Sequence, residues 1–186
     1  MTGRQKMDWV RRFLGTLLGF VFFGVAGIVF KLVLLPYTVV GTANQVSRQV
    51  QARRLVAWIW RFFLRFLEKA GVLQYELHGF ERLGRPGQLI LANHPSLLDV
   101  LFMVGYVPAI NCVVKQELLS NPVMKSPILA CGYVPNDESE ALMERVHRIL
   151  GGGQSLLIFP EGTRTGWDGV VHFHRARCHW VCAAPT

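Results

Sequence analysis

An uncharged apolar run near the start of the chain, residues 13–30, most restricts how this protein can fold. As a helix it would be about 27 Å long, just enough to cross the hydrocarbon core of a bilayer. Lys31 follows, before a short apolar stretch at residues 32–36. A cleaved signal peptide is the alternative, with a candidate cleavage site at residues 41–43. Because the apolar region is longer than signal peptides usually have, we predict a retained membrane segment.

A second helix of different character is predicted at residues 45–70. Four charged residues recur at spacings of 7, 4 and 3 and form one polar stripe on an otherwise apolar, aromatic-rich helix: Arg54, Arg61, Arg65 and Glu68. Tryptophan and arginine on one such helix favour the headgroup boundary of a membrane. The alternative is a core helix packed on the rest of the protein.

Charge and composition indicate a lipid surface as the partner. The chain is 51% hydrophobic, has a mean hydropathy of +0.30 and carries a net charge of +8. Nucleic acid is not predicted, because the basic residues lie beside apolar stretches and no nucleic-acid-binding motif occurs. Basic residues flank the run 13–30 on both sides, whereas a single span usually shows an excess on one side. We therefore predict a membrane-bound protein whose first helices form a hairpin in one leaflet, with the remaining chain on the cytoplasmic face. A single membrane-spanning helix is the alternative.

The sequence Asn-His-Pro-Ser-Leu-Leu-Asp at residues 93–99 directly follows a short apolar strand. His94 and Asp99 are five residues apart, so they would point to different faces of a regular helix. Pro95 instead biases His94 toward a turn and suits a helix that begins near Ser96. Asp99, in the first turn of that helix, could then reach back to the imidazole. A histidine held by a carboxylate can remove a proton from a hydroxyl group.

From residue 71 onward, apolar runs alternate with helical segments, which is typical of an α/β domain. Strands are predicted at residues 73–78, 88–92, 110–114 and 155–158, and a short strand or turn at residues 132–135. Helices are predicted at residues 98–107 and from a capping box at Asp137 and Glu140 to residue 150. Asn121-Pro122 and Ser126-Pro127 are predicted to break the intervening segment. The predicted fold is therefore α/β, with a mixed sheet flanked by helices and preceded by a membrane-associated two-helix segment.

A second motif, Phe-Pro-Glu-Gly-Thr-Arg at residues 159–164, follows the last predicted strand. Both motifs come just past the carboxyl ends of strands, where α/β sheets usually bind ligands. Together, N-H-P-S-L-L-D and F-P-E-G-T-R resemble the glycerolipid acyltransferase family, typified by 1-acylglycerol-3-phosphate acyltransferases, over roughly residues 75–175.

The resemblance implies a glycerol-phosphate acyltransferase-like fold and an acyltransferase reaction. It implies that His94 is the base, Asp99 its orienting partner, and Glu161, Gly162, Thr163 and Arg164 the acceptor-binding motif. Lys115, at the end of a strand, either adds positive charge near substrate phosphates or is an ordinary strand-end lysine. The implied donor is acyl-CoA or acyl-carrier protein, and the acceptor is a lysophospholipid. No cofactor is implied. Ser96 is interpreted as a helix-start residue, since no G-x-S-x-G motif marks a nucleophile.

The sequence departs from the family pattern in two places. Asn136 stands where the family often has an arginine, so acyl acceptors other than 1-acylglycerol-3-phosphate stay open. After residue 175 the pattern is lost, and we hypothesise a truncation or a reading-frame change near residue 176. The alternative function is therefore a non-catalytic, membrane-anchored lipid- or phosphate-binding relative. The predicted parts are residues 1–70, the membrane-associated helices; 71–175, the acyltransferase domain; and 176–186, an atypical tail.

The four cysteines include no C-x2-C pair and are interpreted as free thiols in a reducing compartment. Several soft ligands cluster near the end of the chain: His172, His174, Cys178, His179 and Cys182. Their spacing matches no standard closed zinc site, so no metal is predicted.

Overall fold

The computed structural model describes residues 3–34, 36, 44–137 and 140–161, and it begins with two long helices. Helix α1 spans Gly3–Val29 and continues as a π-helical turn over Phe30–Leu34. Helix α2 spans Gln45–Lys69 and begins after Asn44, whose side-chain oxygen accepts a hydrogen bond from the Val46 N–H at 3.0 Å. The two N-terminal helices predicted from the sequence are therefore confirmed.

The two helices approach each other at glycines of α1. Gly15 and Gly19 are the buried positions of this helix. A Cβ atom on Gly15 would come within 2.8 Å of Val72, and one on Gly19 within 3.3 Å of Leu67. Most of the remaining surface of α1 is exposed and apolar, and Gly3–Leu32 is long and apolar enough to cross a membrane.

Four strands form one sheet in the order β1-β4-β2-β3. Their bounds are Leu89–Leu91 for β1, Asn111–Lys115 for β2, Val134–Asn136 for β3 and Leu156–Ile158 for β4. The α/β prediction, with helices flanking the sheet, is confirmed. Every strand pair among the described residues is parallel, however, where the sequence predicts a mixed sheet.

The remaining helices are α3, α4 and α5, which span Leu98–Tyr106, Pro122–Cys131 and Glu140–Gly151, with short 3-10 turns at Phe80–Arg82 and Gln116–Ser120. The predicted break at Ser126-Pro127 is wrong, because Pro127 lies inside α4. A proline there removes only one backbone hydrogen bond. The helix is supported at its start by Asn121, whose side chain accepts the Val123 N–H at 2.9 Å.

The segment 73–78, predicted as a strand, forms none. Its side chains do alternate between half-buried and exposed positions, as the sequence pattern indicates. The Tyr75 ring packs edge-on against Phe102 of α3 at 4.9 Å, and its hydroxyl is 2.7 Å from that of Tyr106. The alternation therefore reflects side-chain packing on α3, and the antiparallel pairing that a mixed sheet would need does not form here.

Helices cover both faces of the sheet, and successive residues of β4 point to opposite layers. Leu157 belongs to the core that includes Ala52 and Val56 of α2, whereas Leu156 and Ile158 belong to the core under α5. The inner face of α2 is therefore part of the protein core, as the alternative interpretation of residues 45–70 expects. On its outer face, Trp58 and Phe62 are 60% and 53% exposed.

Candidate active site

The two sequence motifs leave neighbouring strands at the same edge of the sheet. Strands β1 and β4 pair in parallel with Leu91 opposite Ile158, and the Ala92 N–H donates to the Ile158 carbonyl at 3.2 Å. Because both strands end together, residues 93–99 and 159–161 emerge side by side. Parallel topology thus brings together motifs that are far apart in the sequence.

His94 and Asp99 form the pair that their spacing predicts. The imidazole Nδ1 lies 3.3 Å from Asp99 Oδ2, and the side chains are only 17% and 25% exposed. A carboxylate only accepts hydrogen bonds, so this contact requires the proton on Nδ1 and leaves the lone pair on Nε2. The pair can therefore hold a neutral imidazole with its basic nitrogen directed away from Asp99.

Ser96 orients the carboxylate of this pair. Its backbone N–H donates to Asp99 Oδ2 at 2.6 Å, and its hydroxyl donates to Asp99 Oδ1 at 3.1 Å. The same hydroxyl accepts the Leu98 N–H at 3.1 Å where α3 begins. The helix-start interpretation of Ser96 agrees with this geometry, but its contact with Asp99 could not be read from the sequence.

The second motif contacts His94 on both its ring and its backbone. The ring of Phe159 lies 4.5 Å from the imidazole, centroid to centroid, at an angle of 30°. Glu161 Oε1 accepts the His94 N–H at 2.8 Å, and Glu161 is 7% exposed. Sequence reasoning assigned Phe159 no function; its place at the start of the motif was the only signal.

Of the remaining candidate residues, the structure describes only Lys115. Lys115 is exposed at the carboxyl end of β2, and its side chain makes no hydrogen bond or ion pair among the described residues. Since β4 lies between β1 and β2, Lys115 shares the edge with His94 but lies two strands away, roughly 10 Å at the usual strand spacing. Gly162, Thr163 and Arg164, and the residues of the tail cluster, lie outside the described residues.

Neither cysteine among the described residues is a candidate nucleophile. Cys112 and Cys131 are buried and free, and burial raises the pKa of each to about 12. A thiol is a nucleophile only as the thiolate, so neither can serve as one at neutral pH. Within the described ranges, no three or more His, Cys, Asp or Glu side chains are grouped so that they could hold a metal ion.

Comparisons with known proteins connect this geometry to a family. The acyltransferase family model matches residues 74–185, which is more than half of the chain. A 1-acyl-sn-glycerol-3-phosphate acyltransferase of Pseudomonas aeruginosa is 30% identical over 118 residues, covering 60% of this chain and 46% of that protein. One from Helicobacter pylori is 32% identical over 83 residues, covering 41% and 35%. The matched part of the chain thus spans less than half the length of these relatives.

A solved structure agrees with the fold. The crystal structure of the 1-acyl-sn-glycerophosphate acyltransferase PlsC from Thermotoga maritima superposes with a TM-score of 0.70, over 91% of this chain and 70% of that one, at 19% identity. That likeness shows the shared fold, and the family match covers both motifs of the candidate site. The chain belongs to the acyltransferase family.

Proposed function

We propose that this protein transfers a fatty acyl chain from acyl-CoA or acyl-carrier protein to the free hydroxyl of a lysophospholipid such as 1-acylglycerol-3-phosphate. The observation that carries the proposal is the His94–Asp99 pair, largely shielded from solvent just past the end of β1. Family membership supports it, because the matching region includes both residues.

His94 acts as the general base in the proposed reaction. Nε2 takes the proton from the acceptor hydroxyl while Asp99 holds Nδ1–H and stabilises the imidazolium that forms. The acceptor oxygen attacks the thioester carbonyl, and the C–S bond breaks as the new ester C–O bond remains. The departing thiolate takes the proton back from Nε2. The step balances without an acyl-enzyme, and Ser96 stays an orienting residue.

The acceptor binds at the motif formed by Glu161, Gly162, Thr163 and Arg164. A guanidinium forks onto phosphate oxygens, and glycine lets the backbone approach the ligand. Lys115, exposed at the same edge and without an ionic partner in the described part of the chain, adds positive charge for a substrate phosphate.

The N-terminal helices hold the protein on the membrane. Helix α1 exposes large apolar side chains around most of its circumference, among them Phe13, Leu17, Phe20, Val25 and Ile28. Transferring them into lipid removes this surface from water. We propose that residues 1–70 form the membrane-associated part, that residues 71–175 form the acyltransferase domain on the cytoplasmic face, and that both basic flanks of the apolar run 13–30 stay on that side.

Acyl transfer in membranes tests the reaction. We expect a labelled thioester to acylate lysophosphatidic acid, and His94→Ala to slow this by about 10²- to 10⁴-fold, the usual contribution of a general base. His78→Ala is the matched control, because His78 Nε2 also lies 3.0 Å from a carboxylate, that of Glu76, but on the exposed surface. Undiminished transfer by His94→Ala would contradict the assignment. Lysophospholipid binding without transfer to any acceptor in a panel would support the non-catalytic alternative.

Protease access in sealed vesicles of either orientation tests the topology. The hairpin predicts that both basic flanks of the apolar run 13–30 are cleaved from the cytoplasmic side only. Cleavage of the first flank solely from the opposite side would instead establish a single span.

A further inference from the structure

Glu161 belongs to the acceptor-binding motif in the sequence, but its carboxylate contacts the backbone of the candidate base. Oε1 accepts the His94 N–H at 2.8 Å, and the residue is 7% exposed. We infer that Glu161 is a positioning residue, which fixes the turn that carries His94. The inference rests on the proposed function, because that proposal makes His94 the base. The contact between Glu161 and His94 is given by the geometry alone.

Among the described residues, the backbone of this turn is held by three hydrogen bonds. Pro95 has no N–H group, and residues 92–97 belong to no helix or strand. Alternate N–H groups are each bound to a different anchor: that of Ala92 to the Ile158 carbonyl, that of His94 to Glu161, and that of Ser96 to Asp99. His94 thus lies between two carboxylates, one on its backbone and the other on its ring.

The same short segment after β4 also supports the imidazole ring. Phe159, two residues before Glu161, packs on the ring at 4.5 Å. Main chain and side chain of His94 are therefore both held from β4, while α3 supplies Asp99. A charged acceptor makes a backbone hydrogen bond stronger than a neutral one does, which suits a contact that must hold a turn.

Kinetic measurements distinguish a positioning residue from a residue that binds the substrate. Truncation to alanine leaves the His94 N–H without its acceptor. We expect kcat to fall about 10- to 100-fold, as the loss of one charge-assisted hydrogen bond predicts, with the KM for the acceptor unchanged. Glu161→Gln keeps an oxygen that accepts the N–H and should stay within about 5-fold of the unmodified protein. In a His94→Ala background, Glu161→Ala should cost nothing further.

A rise in acceptor KM with unchanged kcat would overturn the inference in favour of direct substrate binding. Glu161→Gln as damaging as Glu161→Ala would also overturn it, since the carboxylate charge itself would then be required. Melting temperatures of both variants are measured alongside, and the glutamine variant keeps the test informative if the alanine variant does not fold.

Magnetic resonance of the full chain in detergent micelles tests the contact without any activity. Among the six histidines, the His94 amide is identified by ¹⁵N-histidine labelling and its loss in His94→Ala. We expect a downfield, slowly exchanging amide proton that shifts upfield in Glu161→Ala and stays in place in Glu161→Gln. An amide signal unchanged in Glu161→Ala would overturn the inference. If the unmodified protein transfers no acyl group, the proposed function fails while this measurement still decides the function of Glu161.

Discussion

Arg53 joins α2 to the α/β domain through hydrogen bonds. Replacing it with methionine tests how much these contacts contribute to the free energy of unfolding. The side chain is 1% exposed; Nε donates to the Cys131 carbonyl at 2.7 Å, and Nη1 donates to Gln154 Oε1 at 2.6 Å. Cys131 is the last residue of α4, so the cation lies at the negative end of a helix. Burial lowers the pKa of Arg53, and Nη2 has no hydrogen-bond partner among the described residues.

The expected cost follows from these contacts. Hydrogen bonds to charged groups contribute about 1.5–3 kcal/mol each, so two contribute about 3–6 kcal/mol. Burying Nη2 without a partner offsets about 1–3 kcal/mol of this. Methionine replaces the aliphatic part of the side chain, so the cavity term is small. At the middle of both ranges, the free energy of unfolding should therefore fall by about 2.5 kcal/mol, which in a protein of this size lowers the melting temperature by roughly 5–10 °C.

Thermal unfolding followed by intrinsic tryptophan fluorescence in detergent measures this shift. Arg54→Met is the matched control: the neighbouring arginine is exposed, and its replacement should move the melting temperature by no more than about 2 °C. A melting temperature for Arg53→Met equal to or above that of the unmodified protein would refute the reasoning. The desolvation of the buried cation would then exceed its hydrogen bonding.

Further substitutions and treatments test separate contacts. Gly15→Val should destabilise the protein by about 1–3 kcal/mol, because even a Cβ atom there would come within 2.8 Å of Val72, which follows α2. Gly24→Val, with nothing within 4 Å, should be near neutral in the same melting assay. Ser96→Ala should lower kcat by about tenfold, since the hydroxyl's hydrogen bond to the partly exposed carboxylate contributes about 1.5 kcal/mol, while the backbone contact to that carboxylate stays intact; a loss as large as that of the base variant would argue for a nucleophile. Alkylation of Cys112 and Cys131 at pH 8 should occur only after unfolding. Since their pKa values are raised from 9.0 to about 12 in the fold, the unfolded chain loses these protons first, so stability is present below about pH 9 and falls between pH 9 and 12. Alkaline denaturation measures this, and a flat profile over that range would contradict it.

The spacing of residues within one short segment was sufficient to predict contacts between neighbours in the sequence. The five-residue interval with Pro95 after His94 was sufficient to place Asp99 against the imidazole, because a turn followed by a helix start fixes both side chains. Strand and helix positions followed from apolar runs and Gly or Pro breaks for the same reason. The strand predicted at residues 73–78 failed because alternating burial does not specify whether the backbone pairs.

Contacts between distant segments could not be predicted in this way. The Glu161 contact exists because β4 lies next to β1, and strand order in a parallel sheet is set by crossovers that no local pattern encodes. The sequence pattern therefore assigned Glu161 to the acceptor-binding motif, but it could not show that the Glu161 carboxylate accepts the His94 N–H. Arg53 is similar: its pattern reads as one more cation on α2, and only the packing of α4 and Gln154 around it shows why it is buried.

The two residues of the His94–Asp99 pair are held by different parts of the protein. His94 is held from the sheet, through Phe159 and Glu161 after β4. Asp99 is held by α3, a nine-residue helix that packs on α2 through Gly105 against Arg61. Because α2 also packs against the glycines of α1, the apolar N-terminal helices and the carboxylate of the pair are joined through one short helix. The packing of α1 and α2 therefore determines where α3 lies, and with it the position of Asp99 relative to the imidazole of His94.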